Sequence, residues 1–140
     1  MKVTLRELED FANRFVEELP NTLGHRAHVV GLKGELGAGK TTFSQLVAKA
    51  LGVIEPVQSP TFVIAKTYII THPVFRRFVH VDAYRMSKND PDTIGFTALL
   101  SDPANLIFVE WPENLGVFPA DVAQIKFEVV SDDARHISYA

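Results

Sequence analysis

The first twenty residues carry apolar side chains at helical spacing. Leucine, phenylalanine, alanine and valine recur every three or four positions from Leu5 to Leu19, which is the spacing of one face of an α-helix. Thr4 and Glu7 have the spacing of a capping box, in which each side chain accepts a hydrogen bond from the backbone N–H of the other residue. The pattern predicts an amphipathic helix that follows Thr4 and ends near Pro20.

Two further elements flank a glycine-rich stretch. Residues 27–32 form a short apolar block with two adjacent valines, which is typical of a buried strand. From Thr41 the apolar positions return to helical spacing as far as Leu51, and Gly52 stands where a helix commonly ends. The first half of the chain therefore predicts the order helix, strand, glycine loop, helix.

The rest of the chain is dominated by β-type patterns. Residues 62–70 and 74–82 are rich in β-branched and aromatic side chains, which predicts two strands arranged as a hairpin. Residues 106–109 and 125–130 predict two more strands, and a helix is expected in the weakly patterned stretch that ends at Leu100. We therefore expect a single α/β domain over residues 1–140, with a mainly parallel sheet, one hairpin and helices packed on the sheet.

Composition and charge narrow the classes of function. The formal charge of −3 argues against a protein that grips nucleic acid by itself, because phosphate neutralisation needs a clustered excess of Lys and Arg. The absence of Cys excludes a thiolate metal site and a cysteine nucleophile, and the five His lack metal-ligand spacing. No segment has a signal-peptide core or approaches the ~20 apolar residues of a membrane span, so a cytoplasmic location is expected.

The glycine-rich stretch carries the strongest chemical signal. Residues 34–41, Gly-Glu-Leu-Gly-Ala-Gly-Lys-Thr, fit the P-loop pattern G-x-x-x-x-G-K-[ST] between a predicted strand and a predicted helix. The backbone N–H groups of such a loop suit a polyphosphate, with the lysine on the β- and γ-phosphates and the threonine hydroxyl on Mg²⁺. The alternative is a glycine-rich turn without a ligand. The expected nucleotide-binding residues are Glu35, Leu36, Gly37, Ala38, Gly39, Lys40, Thr41 and Thr42.

Two acidic residues follow predicted strands. A P-loop site needs a carboxylate at the end of a neighbouring strand to hold Mg²⁺, and Glu110 directly follows residues 106–109. Asp is more usual at this position, so Glu110 is a candidate for metal ligand, for base or for both, and an exposed strand-end Glu is the alternative. Asp82 also ends a predicted strand, where such folds place catalytic residues, but Asp often marks a turn, and both interpretations stay open.

Three further side chains are candidates from position alone. Thr61 lies about twenty residues after the P-loop, where GTPases place a switch threonine that senses the γ-phosphate, although spacing alone favours a structural turn. Trp111, the one Trp, follows Glu110 and is placed either to stack on a base or contact a partner, or to pack in the core. Arg135 could contact the nucleotide, but a lone Arg is usually a solvated surface group.

Four short motifs follow one another along the chain: Gly-Glu-Leu-Gly-Ala-Gly-Lys-Thr-Thr-Phe from Gly34, Ser-Pro-Thr-Phe from Ser59, His-Val-Asp-Ala-Tyr-Arg from His80 and Val-Glu-Trp-Pro-Glu from Val109. Together they resemble the TsaE family of small bacterial ATPases. The resemblance implies a P-loop Mg-ATPase needed for threonylcarbamoyl-adenosine (t6A) modification of tRNA. It also implies two partner proteins, TsaB and TsaD, and the tRNA would be held mainly by these partners.

The resemblance also implies roles for individual residues. Thr41 and Glu110 would bind Mg²⁺, and Lys40 would bind the phosphates. Asp82 and Glu110 would be needed for hydrolysis. Thr61 would act as a switch, and Trp111 would lie near the nucleotide or the partner surface. Residues 86–95 depart from the family pattern because they are polar and interrupted by proline where relatives carry a leucine-rich helical stretch, which puts partner contacts there in doubt.

Two rival functions fit the P-loop as well. One is a small P-loop kinase that phosphorylates a metabolite, although residues 87–100 contain neither the Arg nor the His that a kinase lid would supply. The other is a module in which nucleotide only gates association with a partner. Hydrolysis by the isolated chain is expected to be slow, because no obvious arginine finger follows the loop. The absence of the Asn-Lys-x-Asp run of GTPases favours ATP over GTP.

Overall fold

The computed structural model describes residues 2–35, 37–53, 65–84, 96–114 and 122–139. Within these ranges the chain forms seven strands, three α-helices and one 3₁₀ turn. The elements are β1 (Lys2–Thr4), α1 (Leu5–Glu17), β2 (His28–Lys33), α2 (Lys40–Ala50), β3 (Ala65–Ile69), β4 (Arg77–Asp82), α3 (Phe96–Ser101), β5 (Asn105–Glu110), a 3₁₀ turn (Pro112–Asn114), β6 (Ala123–Ser131) and β7 (Ala134–Tyr139). The predicted order helix, strand, glycine loop, helix is confirmed.

The strands form one seven-stranded mixed sheet in the order β1-β7-β6-β2-β5-β4-β3. At its centre β2 is parallel to both β5 and β6, and β5 is parallel to β4. The predicted hairpin is present as β3 and β4, which are antiparallel. A second hairpin joins β6 to β7, and β1 pairs antiparallel with β7 at the sheet edge. The α/β fold class is therefore confirmed, with one hairpin more than the sequence predicted.

Helix α1 begins where the capping box predicts. The backbone N–H of Glu7 donates to the Thr4 hydroxyl at 3.3 Å, and the N–H of Thr4 donates to the Glu7 carboxylate at 3.1 Å. These two bonds satisfy donors that a helix start leaves without partners. The apolar face of α1 packs against α2 and the sheet, where Leu8, Phe11 and Ala12 are buried. The first helix thus helps to fix the helix that follows the glycine loop.

The core lies on both faces of the sheet. On one face, α1 and α2 cover a phenylalanine-rich cluster in which the Phe43 and Phe108 rings stack with centroids 5.8 Å apart. On the other face, a smaller cluster of valine, alanine and isoleucine side chains is covered in part by Leu99 and Leu100 of α3. No helix in the described ranges is long and apolar enough to cross a membrane. The packing fixes the start of α2 beside the carboxyl ends of β2, β5 and β4.

Several element boundaries differ from the sequence predictions. The strand predicted over 62–70 is Ala65–Ile69, with residues 62–64 outside the described ranges, and the strand predicted over 74–82 begins only at Arg77. Strand β7 was missed because its buried positions, Ala134 and Ile137, are three residues apart, which does not give the two-residue alternation of a half-buried strand. Strand β1, with three residues, is too short to give a pattern.

Candidate functional site

The glycine loop connects the end of β2 to the start of α2 through positive φ angles. Gly34, Gly37 and Gly39 have φ of 146°, 81° and 107°, which residues with a Cβ rarely adopt. A Cβ on Gly34 would lie 2.5 Å from the carbonyl oxygen of Phe127 in β6. The loop is therefore curled as the motif requires and packed closely against β6. Leu36 lies outside the described residues, so its predicted role is untested.

The side chain of Lys40 folds back over the loop. Its ammonium donates to the carbonyl oxygen of Gly34 at 2.6 Å and lies 3.9 Å from the centroid of the Trp111 ring. Burial lowers the pKa of Lys40, whereas the nearby carboxylates of Glu110, Asp82 and Glu113 act in the opposite direction and raise it. A buried cation thus stands between the glycine loop and a set of acidic side chains.

Thr41 and Glu110 meet across the gap between α2 and β5. The Thr41 hydroxyl donates to both carboxylate oxygens of Glu110, at 3.3 and 3.2 Å. Glu110 is buried with 4% of its surface exposed, so the alternative of an exposed strand-end Glu is wrong. A hydroxyl and a carboxylate are oxygen ligands of the kind that Mg²⁺ takes. No group of three or more His, Cys, Asp or Glu able to hold a metal occurs among the residues that the structure describes.

Asp82 lies at the end of β4, in register with Glu110 on the neighbouring strand. Its carboxylate accepts a hydrogen bond from the backbone N–H of Tyr84 at 3.0 Å, which is the turn-forming role that the sequence left open. Burial raises the pKa of Asp82, and the Glu110 carboxylate raises it further, whereas the hydrogen bond from Tyr84 and the nearby His80 and Lys40 lower it. The structure places Asp82 both in a turn and beside the predicted metal pair.

Trp111 occupies the loop after β5 in a left-handed conformation, with φ of 60°. Its ring packs partly against the smaller core cluster and lies 5.1 Å from the Tyr84 ring, centroid to centroid. The backbone N–H of Ala83 donates to the carbonyl oxygen of Glu110 at 3.0 Å, which ties together the turns that follow β4 and β5. Trp111 is therefore held against the Lys40 ammonium rather than placed in the main core.

Arg135 reaches the glycine loop from β7. Its guanidinium donates to the carbonyl oxygen of Gly37 at 3.3 Å and to those of Ser131 and Ala134 at 2.8 and 2.9 Å. The guanidinium therefore lies at the glycine loop, and its contact with a nucleotide stays a prediction. Among the other predicted nucleotide-binding residues of the loop, Ala38 is buried, whereas Glu35, Gly37 and Thr42 are exposed to solvent. Thr61 lies outside the described residues, so its predicted switch role is untested.

Sequence reasoning missed one side chain of the site, His80. It is fully buried in β4, and its Nε2 lies 2.5 Å from the Oε2 of Glu110. Two signals in the sequence could have indicated it: a histidine inside an otherwise apolar strand needs a polar partner, and its position two residues before Asp82 puts both side chains on one face of the strand. The imidazole, two carboxylates, a hydroxyl and an ammonium thus converge at the carboxyl ends of β4 and β5.

The chain is similar to known proteins over nearly its whole length. The model of the family described as Threonylcarbamoyl adenosine biosynthesis protein TsaE matches residues 4–137. Two proteins named tRNA threonylcarbamoyladenosine biosynthesis protein TsaE are among the relatives. The one from Streptomyces coelicolor is 44% identical over 120 residues, which cover 79% of this chain and 77% of that protein. The one from Aquifex aeolicus is 30% identical over 139 residues, covering 98% and 94%.

A solved structure resembles the fold as well. The crystal structure of Bacillus subtilis YdiB superposes with a TM-score of 0.67 at 27% sequence identity, over 99% of this chain and 83% of that one. The family match spans the glycine loop and the strands that carry Asp82 and Glu110. The family model therefore covers the candidate site, and the solved structure supports the same α/β fold.

Proposed function

This chain belongs to the TsaE family of threonylcarbamoyl adenosine biosynthesis proteins, and we propose that it is a Mg-dependent ATPase supporting t6A modification of tRNA. The observation that carries the proposal is the contact of Thr41 with both carboxylate oxygens of Glu110, beside the buried ammonium of Lys40. These are the three functional groups that a P-loop site uses for a metal and a polyphosphate. A role on tRNA makes the cytoplasm the expected location.

Lys40 supplies the charge that binds the phosphates. In the described structure its ammonium donates to a neutral backbone carbonyl, that of Gly34. Phosphate oxygens are stronger, charged acceptors, so ATP competes well for this donor. The glycine loop and the N-terminus of α2 add backbone N–H groups and the positive end of the helix dipole. The residues present therefore fit the triphosphate of a nucleotide.

Thr41 and Glu110 would hold Mg²⁺ together with phosphate and water oxygens. A bound Mg²⁺ neutralises charge that develops on the transferred phosphoryl group. The hydroxyl and the carboxylate are already in hydrogen-bond contact, so both lie within reach of one site. Glu110 thereby takes the place of the Asp that P-loop proteins more often use.

Hydrolysis requires a water placed in line with the γ-phosphorus. Its oxygen forms the new bond to phosphorus while the bond to the β–γ bridging oxygen breaks, and ADP leaves with that oxygen. Either Glu110 or Asp82 orients this water and accepts its proton, since both carboxylates end adjacent parallel strands. Lys40 stabilises negative charge on the phosphoryl group. TsaB- and TsaD-type partners are proposed to complete the site and to hold the tRNA.

A nucleotide-gated binding module is the second candidate. The observation in its favour is the contact between Lys40 and Trp111, which links the phosphate-binding lysine to the loop after β5. In that case ATP binding alone would change the surface offered to a partner. The two functions differ in whether t6A formation needs hydrolysis or only binding.

The proposed function is tested by reconstituting t6A formation on tRNA. The reaction contains TsaB- and TsaD-type proteins, their substrates, ATP and either the native chain, Lys40→Ala or Lys49→Ala. Lys49 is the matched control because its side chain is 75% exposed on α2 and lies 3.9 Å from Glu9, away from the loop. Repeated turnover is expected with the native chain and with Lys49→Ala but not with Lys40→Ala. Turnover with Lys40→Ala at the native rate would contradict the proposal.

A further inference from the structure

His80 is a polar side chain buried with no exposed surface. Burial of an imidazole costs free energy unless a hydrogen bond compensates it, and its Nε2 lies 2.5 Å from the Oε2 of Glu110. The partner is itself 4% exposed. The two side chains form a buried pair that bridges the adjacent parallel strands β4 and β5.

The hydrogen-bond pattern places a proton on Nε2 of His80. An ionised carboxylate only accepts hydrogen bonds, so the imidazole is the donor in the contact with Glu110. The other ring nitrogen, Nδ1, is buried without a hydrogen-bond partner in the described part of the chain. A tautomer with the hydrogen on Nε2 gives Glu110 its donor and leaves no buried N–H without an acceptor.

His80 and Thr41 hold Glu110 differently. The Thr41 hydroxyl is shared between the two carboxylate oxygens at 3.3 and 3.2 Å, whereas His80 makes one shorter contact with Oε2 alone. If the Thr41 hydroxyl bound a metal, its contacts with Glu110 would weaken. The imidazole of His80 would still hold Oε2 from β4, which would leave Oε1 for the metal or the water.

We propose that His80 is a positioning residue that fixes the rotamer of Glu110 so that one carboxylate oxygen serves Mg²⁺ or the attacking water. This inference rests on the proposed ATPase function. Partners that hydrogen-bond to a metal-site ligand typically change metal affinity or activity by about 10- to 100-fold when removed. A histidine that only fills the core would change stability and leave the Mg²⁺ requirement unaltered.

The test compares three substitutions in β4. His80→Leu removes the donor, His80→Gln keeps an N–H donor, and Phe78→Leu is the control because Phe78 is equally buried on the same strand and packs on Phe108. For each variant with the partner proteins, the Mg²⁺ concentration that gives half-maximal ATP hydrolysis is measured. Nucleotide affinity in EDTA and the melting temperature are measured alongside.

His80→Leu is expected to raise the half-maximal Mg²⁺ concentration by about tenfold or more, with unchanged nucleotide affinity in EDTA. His80→Gln should recover most of that loss, and Phe78→Leu should lower the melting temperature without changing the Mg²⁺ requirement. A native Mg²⁺ requirement in His80→Leu would overturn the inference. If the native chain itself hydrolyses no ATP with its partners, the proposed function fails instead.

A second measurement needs no substitution and therefore no assumption about folding. Long-range nitrogen–proton NMR correlations of the native chain identify which ring nitrogen of His80 carries hydrogen. A protonated Nε2 is expected. A bare Nε2 would show that His80 does not donate to Glu110 and would overturn the inference.

Discussion

The ammonium of Lys40 lies 3.9 Å from the centroid of the Trp111 ring. This contact joins the first turn of α2 to the loop that follows β5, and cation–π contacts of this kind contribute about 0.5 to 2 kcal/mol. The same ammonium is the group that would bind phosphate. Binding of a phosphate to the Nζ of Lys40 would therefore change the surroundings of the Trp111 indole.

Trp111 fluorescence should report nucleotide binding. The chain has one Trp, so the tryptophan emission comes from this side chain alone. ATP or ADP is expected to change its intensity and peak position, because phosphate oxygens draw Lys40 away from the ring. In Lys40→Met, which lacks the cation, the response should be much smaller. Native emission that stays constant while calorimetry detects binding would contradict the coupling.

Lys40→Ala should weaken nucleotide binding strongly. Hydrogen bonds to charged groups contribute about 1.5 to 3 kcal/mol, which corresponds to roughly a 10- to 100-fold increase in Kd. Isothermal titration with ATP and Mg²⁺ provides the measurement, and Lys49→Ala is the matched control on the same helix. Equal affinities for ATP in the native chain and in Lys40→Ala would show that the loop does not hold the phosphates through Lys40.

Alanine substitutions at two loop glycines should distinguish the loss of stability caused by a steric clash from the loss caused by a positive φ. An alanine at Gly34 would place its Cβ 2.5 Å from the Phe127 carbonyl oxygen at φ of 146°, whereas one at Gly37 would meet nothing within 4 Å. Gly37→Ala should cost about 1 kcal/mol from its positive φ alone, and Gly34→Ala should cost more, roughly 2 kcal/mol or above. Urea unfolding measures both, and equal losses would contradict the close packing of the loop on β6.

The turn before β4 should make stability depend on pH. Burial lowers the pKa of His72 from its usual 6.5, and its Nδ1 accepts the backbone N–H groups of Val74 and Phe75 at 3.0 and 3.1 Å. Protonated His72 cannot accept those bonds. The unfolded chain therefore binds the proton at higher pH than the folded chain, and the free energy of unfolding should fall as pH drops below about 6.5.

His72→Asn provides the control for this pH dependence. The amide oxygen of Asn can accept the same backbone N–H groups but does not titrate. Chemical unfolding of both chains between neutral and mildly acidic pH should show a shallower decline for the variant. Some decline should persist, because burial also lowers the pKa of His28. Identical slopes in the two chains would show that His72 does not contribute.

The sequence pattern predicted the elements that are stabilised by residues close together in the chain. Helix α1 follows from the spacing of its apolar residues and from the Thr4 and Glu7 pair, whose two hydrogen bonds are both present. The glycine loop could be predicted because its positive φ angles, at Gly34, Gly37 and Gly39, favour glycine. Strand β7 could not be predicted in this way, because it is stabilised by pairing with β6 and β1 rather than by an alternating pattern of its own.

The candidate site also combines residues that one motif identifies with residues that only the fold brings together. Lys40 and Thr41 are adjacent within one motif, so the sequence alone identifies them. The partnership of His80 with Glu110 depends instead on parallel pairing between β4 and β5, which joins residues thirty positions apart in the chain. Asp82 likewise gains its place in the site from its register with Glu110. Such contacts depend on which strands are neighbours in the sheet. The pattern of apolar residues within one strand does not give that information.

The most direct test of the proposed ATPase is phosphate release from ATP by the native chain, with and without TsaB- and TsaD-type partners, compared with Glu110→Gln. The substitution removes the carboxylate charge but keeps an oxygen for His80, and Glu128→Gln is the control because Glu128 is exposed on β6. Hydrolysis should rise with the partners, remain in Glu128→Gln and fall about 100-fold or more in Glu110→Gln. ATP binding without partner-dependent hydrolysis, or a Glu110→Gln chain as active as the native one, would contradict the account.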